Sequence, residues 1–252
     1  MKKIAVILLI LIMATFTACA GQPDPAPDPI VIRNENLAKL ARVWGFVKYT
    51  HASFITGQLD WDKELLSLIP IIYGSNGDDV NGILYDWFIS LGNSGFDSGA
   101  DPNDHADLRP MADLSWINYD YLGPLAASLQ QFNGIIAIDV SDGPITLSGG
   151  TPDFSNQSHH DDMDFDNIGY RLLGLFRLWN AMNYYFPHLD VLDANWGDLL
   201  LEFIPKMLDG EDRLSYELTL AAMARHLHDA HVSFIGATFF ADKFGAYAAP
   251  VQ

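Results

Sequence analysis

The chain has 252 residues, which is enough for one sizeable domain or two small ones. Its formal net charge of −18 at pH 7 argues against binding of nucleic acid and against electrostatic adhesion to anionic lipid. Because 49% of the residues are apolar and aromatic residues are plentiful, the composition predicts a globular protein and excludes an acidic disordered chain.

Residues 1–19 have the pattern of a lipoprotein signal peptide. A basic start precedes the apolar run Ile4–Met13, which is too short to span a bilayer. The lipobox-like run FTAC then ends at Cys19, so we expect lipidation at this residue. Cys19 is the only cysteine, and an internal disulfide is therefore impossible. The alternative is an ordinary signal peptide cut at Ala18 or Ala20. Lipidation predicts an exported protein anchored to a bacterial membrane, in the periplasm or at the cell surface.

Residues 20–33 are predicted to form a tether between this anchor and the folded part. The segment GQPDPAPDP within it is rich in proline, which lacks the N–H that helices and sheets require. We therefore expect an extended linker that holds the folded part away from a membrane surface.

Two segments of the chain, Leu37–Pro70 and Leu172–Pro205, repeat each other without a gap. Every matched residue of the second segment lies 135 positions after its counterpart, as Trp179 lies after Trp44. The identical pairs are Leu37/Leu172, Leu40/Leu175, Arg42/Arg177, Trp44/Trp179, Tyr49/Tyr184, Trp61/Trp196, Leu65/Leu200, Leu66/Leu201, Ile69/Ile204 and Pro70/Pro205. The repeat predicts a mainly α fold built from a duplicated helical unit, with unit 1 over 34–95 and unit 2 over 168–232.

Apolar residues at helical spacing predict about three helices in each unit. In unit 1 they are a helix capped by Asn34 that continues through Tyr49, a helix led by Trp61, and a helix over 79–91. The matching helices of unit 2 begin near Ile168, at Trp196 and near Ser215, and the last one ends near His228. Two further features are shared. The repeated tryptophans are predicted to lie in the core, and Pro70 and Pro205 are predicted to kink or end the second helix of each unit.

The connector between the units, residues 96–167, is less regular and rich in Gly, Asp, Asn and Pro. A helix is predicted over 122–132. The runs 135–140 and 145–147, separated by Ser-Asp-Gly-Pro, predict a small β-hairpin insertion. The polar run 159–167 is predicted to be exposed.

Two sets of side chains contain residue types that bind metals, but neither has the spacing of a metal site. Asp162, Asp164 and Asp166 have EF-hand spacing, but the sixth and twelfth positions of that loop are Asn167 and Leu173 instead of Gly and Glu. The run is better explained as a solvated loop that precedes a helix. The histidines His226, His228 and His231 lack the spacing that places two ligands on one helix face. We therefore predict no metal and no cofactor.

The segments VWGFVKYTHASFITGQLDWDKELL and YRLLGLFRLWNAMNYYFPH, together with SYELTLAAMARHLHDAH, carry a resemblance to a known family. They resemble the N-terminal region of serine peptidases of the C-terminal processing peptidase and tricorn-core family, in particular its exported Bacteroidetes-type members. The resemblance covers about residues 34–250. In that family a helical region precedes a PDZ-like domain and an α/β domain that carries the nucleophilic serine.

The resemblance implies that His231 is a catalytic base, in a DAH segment that begins at Asp229. A neutral imidazole near a helix end can accept a proton from a serine hydroxyl. The alternative is that His231 is only a capping residue at a helix C-terminus.

The resemblance also implies that residues 233–252 begin a PDZ-like domain, and that the nucleophile lies in a further domain outside these 252 residues. We therefore expect the N-terminal helical region of a lipid-anchored serine peptidase, inactive by itself because a base without a nucleophile performs no covalent catalysis. Its partners would be a polypeptide substrate bound by the downstream domains and the membrane that holds the lipid, with no nucleic acid. The alternative function is a non-enzymatic helical binding or scaffold lipoprotein.

Overall fold

The computed structural model describes residues 28–75, 77, 79–92, 112–131, 141–148 and 151–229. The first helix within these residues is a long one, α1. Helix α1 spans Pro29–Thr50, and Asp28 caps it by accepting a hydrogen bond from the Ile30 N–H. The predicted tether over 20–33 is therefore wrong at its end, because residues 29–33 are helical. Proline is favourable in the first turn of a helix, where its missing N–H is not needed.

The remaining helices of the first half are α2 (Ala52–Ile55), α3 (Trp61–Tyr73) and α4 (Val80–Ser90). Helix α2 lies between the predicted helix that ends at Tyr49 and the one led by Trp61, where no helix was predicted. Helix α3 begins where predicted, because the Asp60 carboxylate accepts hydrogen bonds from the N–H groups of Asp62 and Lys63. Helix α4 agrees with the helix predicted over 79–91 within one residue at each end.

Neither repeated proline ends its helix. Helix α3 continues for three residues past Pro70, and the matching helix α8 (Trp196–Asp209) continues for four residues past Pro205. Pro70 lies on the exposed side of α3, where water can hydrogen-bond to the carbonyl that proline leaves without a donor. Of the two predicted outcomes, a kink or a helix end, the helix end is therefore wrong, and the kink stays a prediction.

The described part of the connector contains short elements. Helices α5 (Tyr119–Leu122) and α6 (Leu125–Gln130) replace the single helix predicted over 122–132, because Gly123 adopts a φ of 59° between them. Strands β1 (Thr146–Ser148) and β2 (Thr151–Asp153) pair antiparallel, with Leu147 opposite Pro152. The predicted hairpin paired 145–147 with 135–140, and that partner lies outside the described residues.

The second half contains α7 (Ile168–Tyr185), a 3₁₀ turn over Leu189–Val191, α8, α9 (Arg213–Ala224) and a final 3₁₀ turn over Arg225–Leu227. Asn167 and Asn195 cap α7 and α8 with their side-chain oxygens. Asp212 and Ser215 form a capping box at the start of α9, which begins two residues before the predicted Ser215.

The described chain is thus mainly α-helical, as predicted, and its helices share one apolar core. Helix α1 contacts α3, α4, α7 and α8, and helix α7 contacts α3, α8 and α9. The four repeated tryptophans, Trp44, Trp61, Trp179 and Trp196, are all buried, which confirms their prediction as core residues.

Candidate functional site: a buried ionic cluster

Three charged side chains from distant parts of the sequence meet below the surface. Lys48 lies in the last turn of α1, Asp62 in the first turn of α3, and Arg177 in the middle of α7. Lys48 is 0% exposed and Asp62 only 1% exposed. Charged groups are rarely buried to this degree unless they are paired, so the cluster is the most unusual chemical feature of the described fold.

Asp62 is the acceptor at the centre of the cluster. The Arg177 Nε–H donates to Asp62 Oδ1 at 3.1 Å, and the Arg177 terminal nitrogen Nη2 pairs with Oδ2. His160 Nε2 lies 3.1 Å from the same Oδ2. Arg177 also donates from Nη1 to the Ser158 carbonyl oxygen at 2.8 Å. This fork-to-carboxylate geometry is the strongest type of ion pair in proteins, and it leaves neither Asp62 oxygen free.

Lys48 has no carboxylate within ion-pair distance among the described residues. Its Nζ donates to Gln157 Oε1 at 3.0 Å and lies 4.9, 5.4 and 5.6 Å from the ring centroids of Trp44, Tyr49 and Trp61. Burial disfavours the charged amine and lowers the pKa of Lys48 to about 7, although Asp62 opposes this effect. The amine is therefore a mixture of neutral and protonated forms near neutral pH.

Three tyrosine rings continue the cluster. The Tyr49 ring contacts the rings of Tyr184 and Tyr185, at centroid distances of 5.3 and 5.1 Å. All three hydroxyl oxygens are buried, and none has a hydrogen-bond partner in the part of the chain that the structure describes. Burial raises the pKa of each of the three phenols, so they remain protonated donors at physiological pH.

A surface groove is the second candidate site. It lies at the end of the last helical segment and includes Asp229, the first residue of the DAH segment. A groove of about 500 Å³ is lined by Phe186, His188, Val191, Leu192, Asp193, Leu227, His228 and Asp229. His228 has a left-handed φ of 49°, ends the last 3₁₀ turn, and places Nε2 3.7 Å from a carboxylate oxygen of Asp193. Both side chains are largely exposed, so this pair contributes little to stability.

The two predicted site residues, Cys19 and His231, lie outside the described residues. Lipidation at Cys19 and catalysis by His231 therefore remain predictions. Among the described residues, no group of three or more His, Cys, Asp or Glu side chains is arranged to hold a metal ion. The acidic residues Asp162, Asp164 and Asp166 are exposed, and Asp164 accepts a hydrogen bond from the Asp166 N–H.

No motif in the sequence predicted the ionic cluster, but the repeat contained a signal for it. At the positions that match Lys48 and Asp62, unit 2 has the uncharged residues Asn183 and Gly197. Arg177, in contrast, has the identical counterpart Arg42. The charges of Lys48 and Asp62 thus occur in only one of the two sequence repeats.

No protein-family model, curated protein or solved structure matches this chain. Within the described ranges, no helix combines the length and the apolar character needed to cross a membrane.

Proposed function

We propose that residues 34–95 and 168–232 are duplicated units related by an internal two-fold axis. Matching hydrogen bonds support this duplication. The Trp44 indole N–H donates to the Trp61 carbonyl at 2.8 Å, and the Trp179 indole N–H donates to the Trp196 carbonyl at 2.8 Å. In both units the helix that starts with the second tryptophan is capped by the residue before it, Asp60 or Asn195.

The contacts between the units support the two-fold relation. Arg42 donates to the Gly197 carbonyl at 2.9 Å, while its counterpart Arg177 pairs with Asp62, the residue that matches Gly197. Matched residues also meet each other, since Tyr49 packs on Tyr184 and a Cβ at Gly45 would overlap the Asn180 side chain. A residue that contacts its own counterpart, beside a pair of reciprocal contacts, is the pattern that a two-fold axis produces.

We propose that this duplicated body is the N-terminal helical region of an exported serine peptidase of the C-terminal processing peptidase and tricorn-core family. The observation that carries the proposal is the end of unit 2. The final 3₁₀ turn ends at His228, and the next residue, Asp229, is the first of the DAH segment and lines the groove together with His188 and Asp193. In this proposal, the helical body presents the His231 imidazole to a neighbouring catalytic domain.

In this proposal, His231 accepts the proton of a serine hydroxyl as that oxygen attacks a peptide carbonyl. The serine and the donors that stabilise the tetrahedral oxyanion belong to the catalytic domain. The helical body holds the imidazole in place, because proton transfer requires it to lie within hydrogen-bond distance of the serine oxygen.

Two experiments test this function. The purified 252-residue chain should neither cleave unfolded casein nor react at any serine with a fluorophosphonate probe, and labelling would contradict the proposal.

In a natural full-length family member that carries the same motif, alanine at the residue matching His231 should abolish cleavage. Alanine at the residue matching the exposed His228 should preserve it. Cleavage at the unmodified rate in the first variant would leave His231 only a structural cap and would favour the scaffold function.

We also propose that the chain is anchored by lipid at Cys19. The short apolar run and the lipobox-like sequence before Cys19 support this localisation. The several acyl chains of a bacterial lipoprotein hold a protein firmly, whereas one chain binds reversibly. Cys19→Ser should therefore move the protein from the membrane fraction to the soluble envelope fraction, and an unchanged distribution would contradict the anchor.

A further inference from the structure

The segment 154–160, called the strap below, follows strand β2 and lies over the buried cluster. It contacts helices α1, α3 and α7 through three side chains and one backbone carbonyl. Phe154 packs on the Tyr185 ring at 5.6 Å, Gln157 accepts from Lys48 at 3.0 Å, the Ser158 carbonyl accepts from Arg177 at 2.8 Å, and His160 lies 3.1 Å from Asp62. The strap is only partly buried, although Phe154 packs against the apolar core and the Asn156 amide donates to the carbonyls of Ser141 and Gly143.

Several buried groups beneath the strap lack a hydrogen-bond partner among the described residues, and each of them carries a donor. The hydroxyls of Tyr49, Tyr184 and Tyr185 and the indole N–H of Trp61 are all buried, with no partner among the described residues. Lys48 Nζ carries three N–H donors when protonated and has one acceptor, the neutral Gln157 amide. Buried donors that lack acceptors are costly and uncommon in folded proteins, so their concentration here calls for an explanation.

The charges of the cluster are also unbalanced. Both oxygens of Asp62 are used by Arg177 and His160, so protonated Lys48 has no anionic partner of its own. Two cations therefore share one carboxylate in a protein whose net charge is −18. A small anion would supply both the missing charge and the missing acceptors.

Unit 2 shows that the fold does not need these groups for its packing. Asn183 and Gly197 replace Lys48 and Asp62 there, and the indole N–H of Trp196 is paired with the Trp179 carbonyl at 3.0 Å. The matched N–H of Trp61 has no such partner in the described structure. The unpaired donors of Lys48 and Trp61 thus occur in unit 1, beneath the strap, and have no counterpart at the matching positions of unit 2.

We propose that the donor-rich cluster around Lys48 and Tyr49 is a binding site for a small oxyanion, a carboxylate or a phosphate, and that the strap opens to admit it. The site does not depend on the presence of a peptidase domain. When the strap lifts, Lys48 loses only its bond to Gln157, and the ammonium and the phenols become available to the oxygens of the anion. The protonated lysine and the neutral phenols are both donors to such a ligand.

The accessibility of the Lys48 amine measures strap opening directly. The intact chain is treated with formaldehyde and dimethylamine–borane near neutral pH, and methylation of each lysine is followed by mass spectrometry. Lys63, whose side chain is 81% exposed, is the internal reference. Gln157→Ala and His160→Ala should each raise the rate at Lys48 relative to Lys63 by about tenfold, because each removes one hydrogen bond to a charged group. His159→Ala, at an exposed neighbouring residue, is the matched control and should change neither rate.

The same variants test the ligand at constant ionic strength in chloride, acetate or inorganic phosphate. Slower methylation of Lys48 in acetate assigns a carboxylate site, and slower methylation in phosphate assigns a phosphate site. Rates at Lys48 that stay equal in all three salts would overturn the oxyanion site. Unchanged Lys48 rates in both strap variants, or equal increases at Lys48 and Lys63, would overturn the strap. Circular dichroism of each variant confirms that the helices are intact.

Discussion

At the scale of single residues, Lys48 departs most from ordinary protein chemistry. Its amine is fully buried against the faces of Trp44, Tyr49 and Trp61, and it has one hydrogen bond to a neutral amide. Aromatic faces attract a cation, but they do not replace the water that a buried ammonium loses. The result is a lysine whose pKa lies near 7, far below its ordinary value of 10.5.

The burial of Lys48 should make the stability of the chain depend on pH. Between about pH 7 and 10.5 the unfolded chain binds more protons at Lys48 than the folded chain does. The destabilisation is therefore complete below about pH 7, and the free energy of unfolding rises with pH through this window. The free energy of unfolding of the wild type, measured relative to that of Lys48→Met, should rise by up to about 1.4 kcal/mol per pH unit. Urea denaturation between neutral pH and pH 9 measures this difference.

The control for this prediction is Lys63→Met, which removes an exposed amine. Its stability should follow that of the wild type at every pH. A constant difference between the wild type and Lys48→Met across the window would mean that Lys48 titrates as an ordinary lysine.

At the scale of elements, the contact between α1 and α7 is set by a glycine. Gly45 on α1 faces Asn180 on α7, whose amide donates to the Ala41 carbonyl at 3.0 Å and to the Phe176 carbonyl at 2.9 Å. The absence of a side chain at Gly45 lets Asn180 reach the backbone of α1. The two helices are therefore joined by a buried hydrogen bond as well as by apolar contacts.

Two glycine-to-alanine substitutions should have opposite effects on stability. Gly45→Ala should cost about 1–3 kcal/mol, because the new methyl group would overlap Asn180 in a packed interface. Gly82→Ala, in helix α4 with open space around its Cβ position, should stabilise by about 0.5–1 kcal/mol through helix propensity. Thermal or urea unfolding compares the two. A gain in stability at both positions would contradict the close contact of α1 with α7.

The repeated tryptophans give a second test at this scale. Trp44→Ala and Trp179→Ala should each cost about 3–5 kcal/mol, because each removes a buried ring and the partner of a carbonyl group. Tyr119→Ala, at a residue that is 72% exposed, should change the free energy of unfolding by less than about 0.5 kcal/mol. A large cost at one tryptophan and a small cost at the other would argue against equivalent units.

At the scale of the whole molecule, the first half (residues 28–92) and the second half (residues 168–229) are interlocked and not arranged side by side. Helix α1 packs on α8, and helix α3 packs on α7, so each half contributes to the core of the other. Arg42 and Arg177 add reciprocal polar contacts between the halves. Neither half can lose its structure without exposing apolar surface of its partner.

The described body should therefore unfold in one cooperative step. Tryptophan fluorescence and far-ultraviolet circular dichroism should give coincident transitions in urea, since a two-state process is reported equally by all probes. Tryptophans occur in both halves, which makes fluorescence sensitive to each of them. Two separate transitions, or midpoints that differ between the probes, would show that the halves unfold independently.

The helical class, most helix positions and the buried aromatic residues were predictable from the amino-acid sequence. These features depend on local information. Apolar residues at helical spacing mark the faces that must leave water, and caps such as Asp60 and Asn167 fix where helices begin. The four repeated tryptophans were predictable as core residues for the same reason.

Features that depend on residues far apart in the chain could not be predicted from the sequence and became visible in the folded structure. Helix α3 continues past Pro70 because its surroundings tolerate what local preference disfavours. Arg177 and Asp62 are 115 residues apart in the chain, and no spacing rule relates them. Whether a charged side chain is solvated or buried is decided by what packs against it, and for Lys48 that is the strap, whose place over α1 follows from the fold alone.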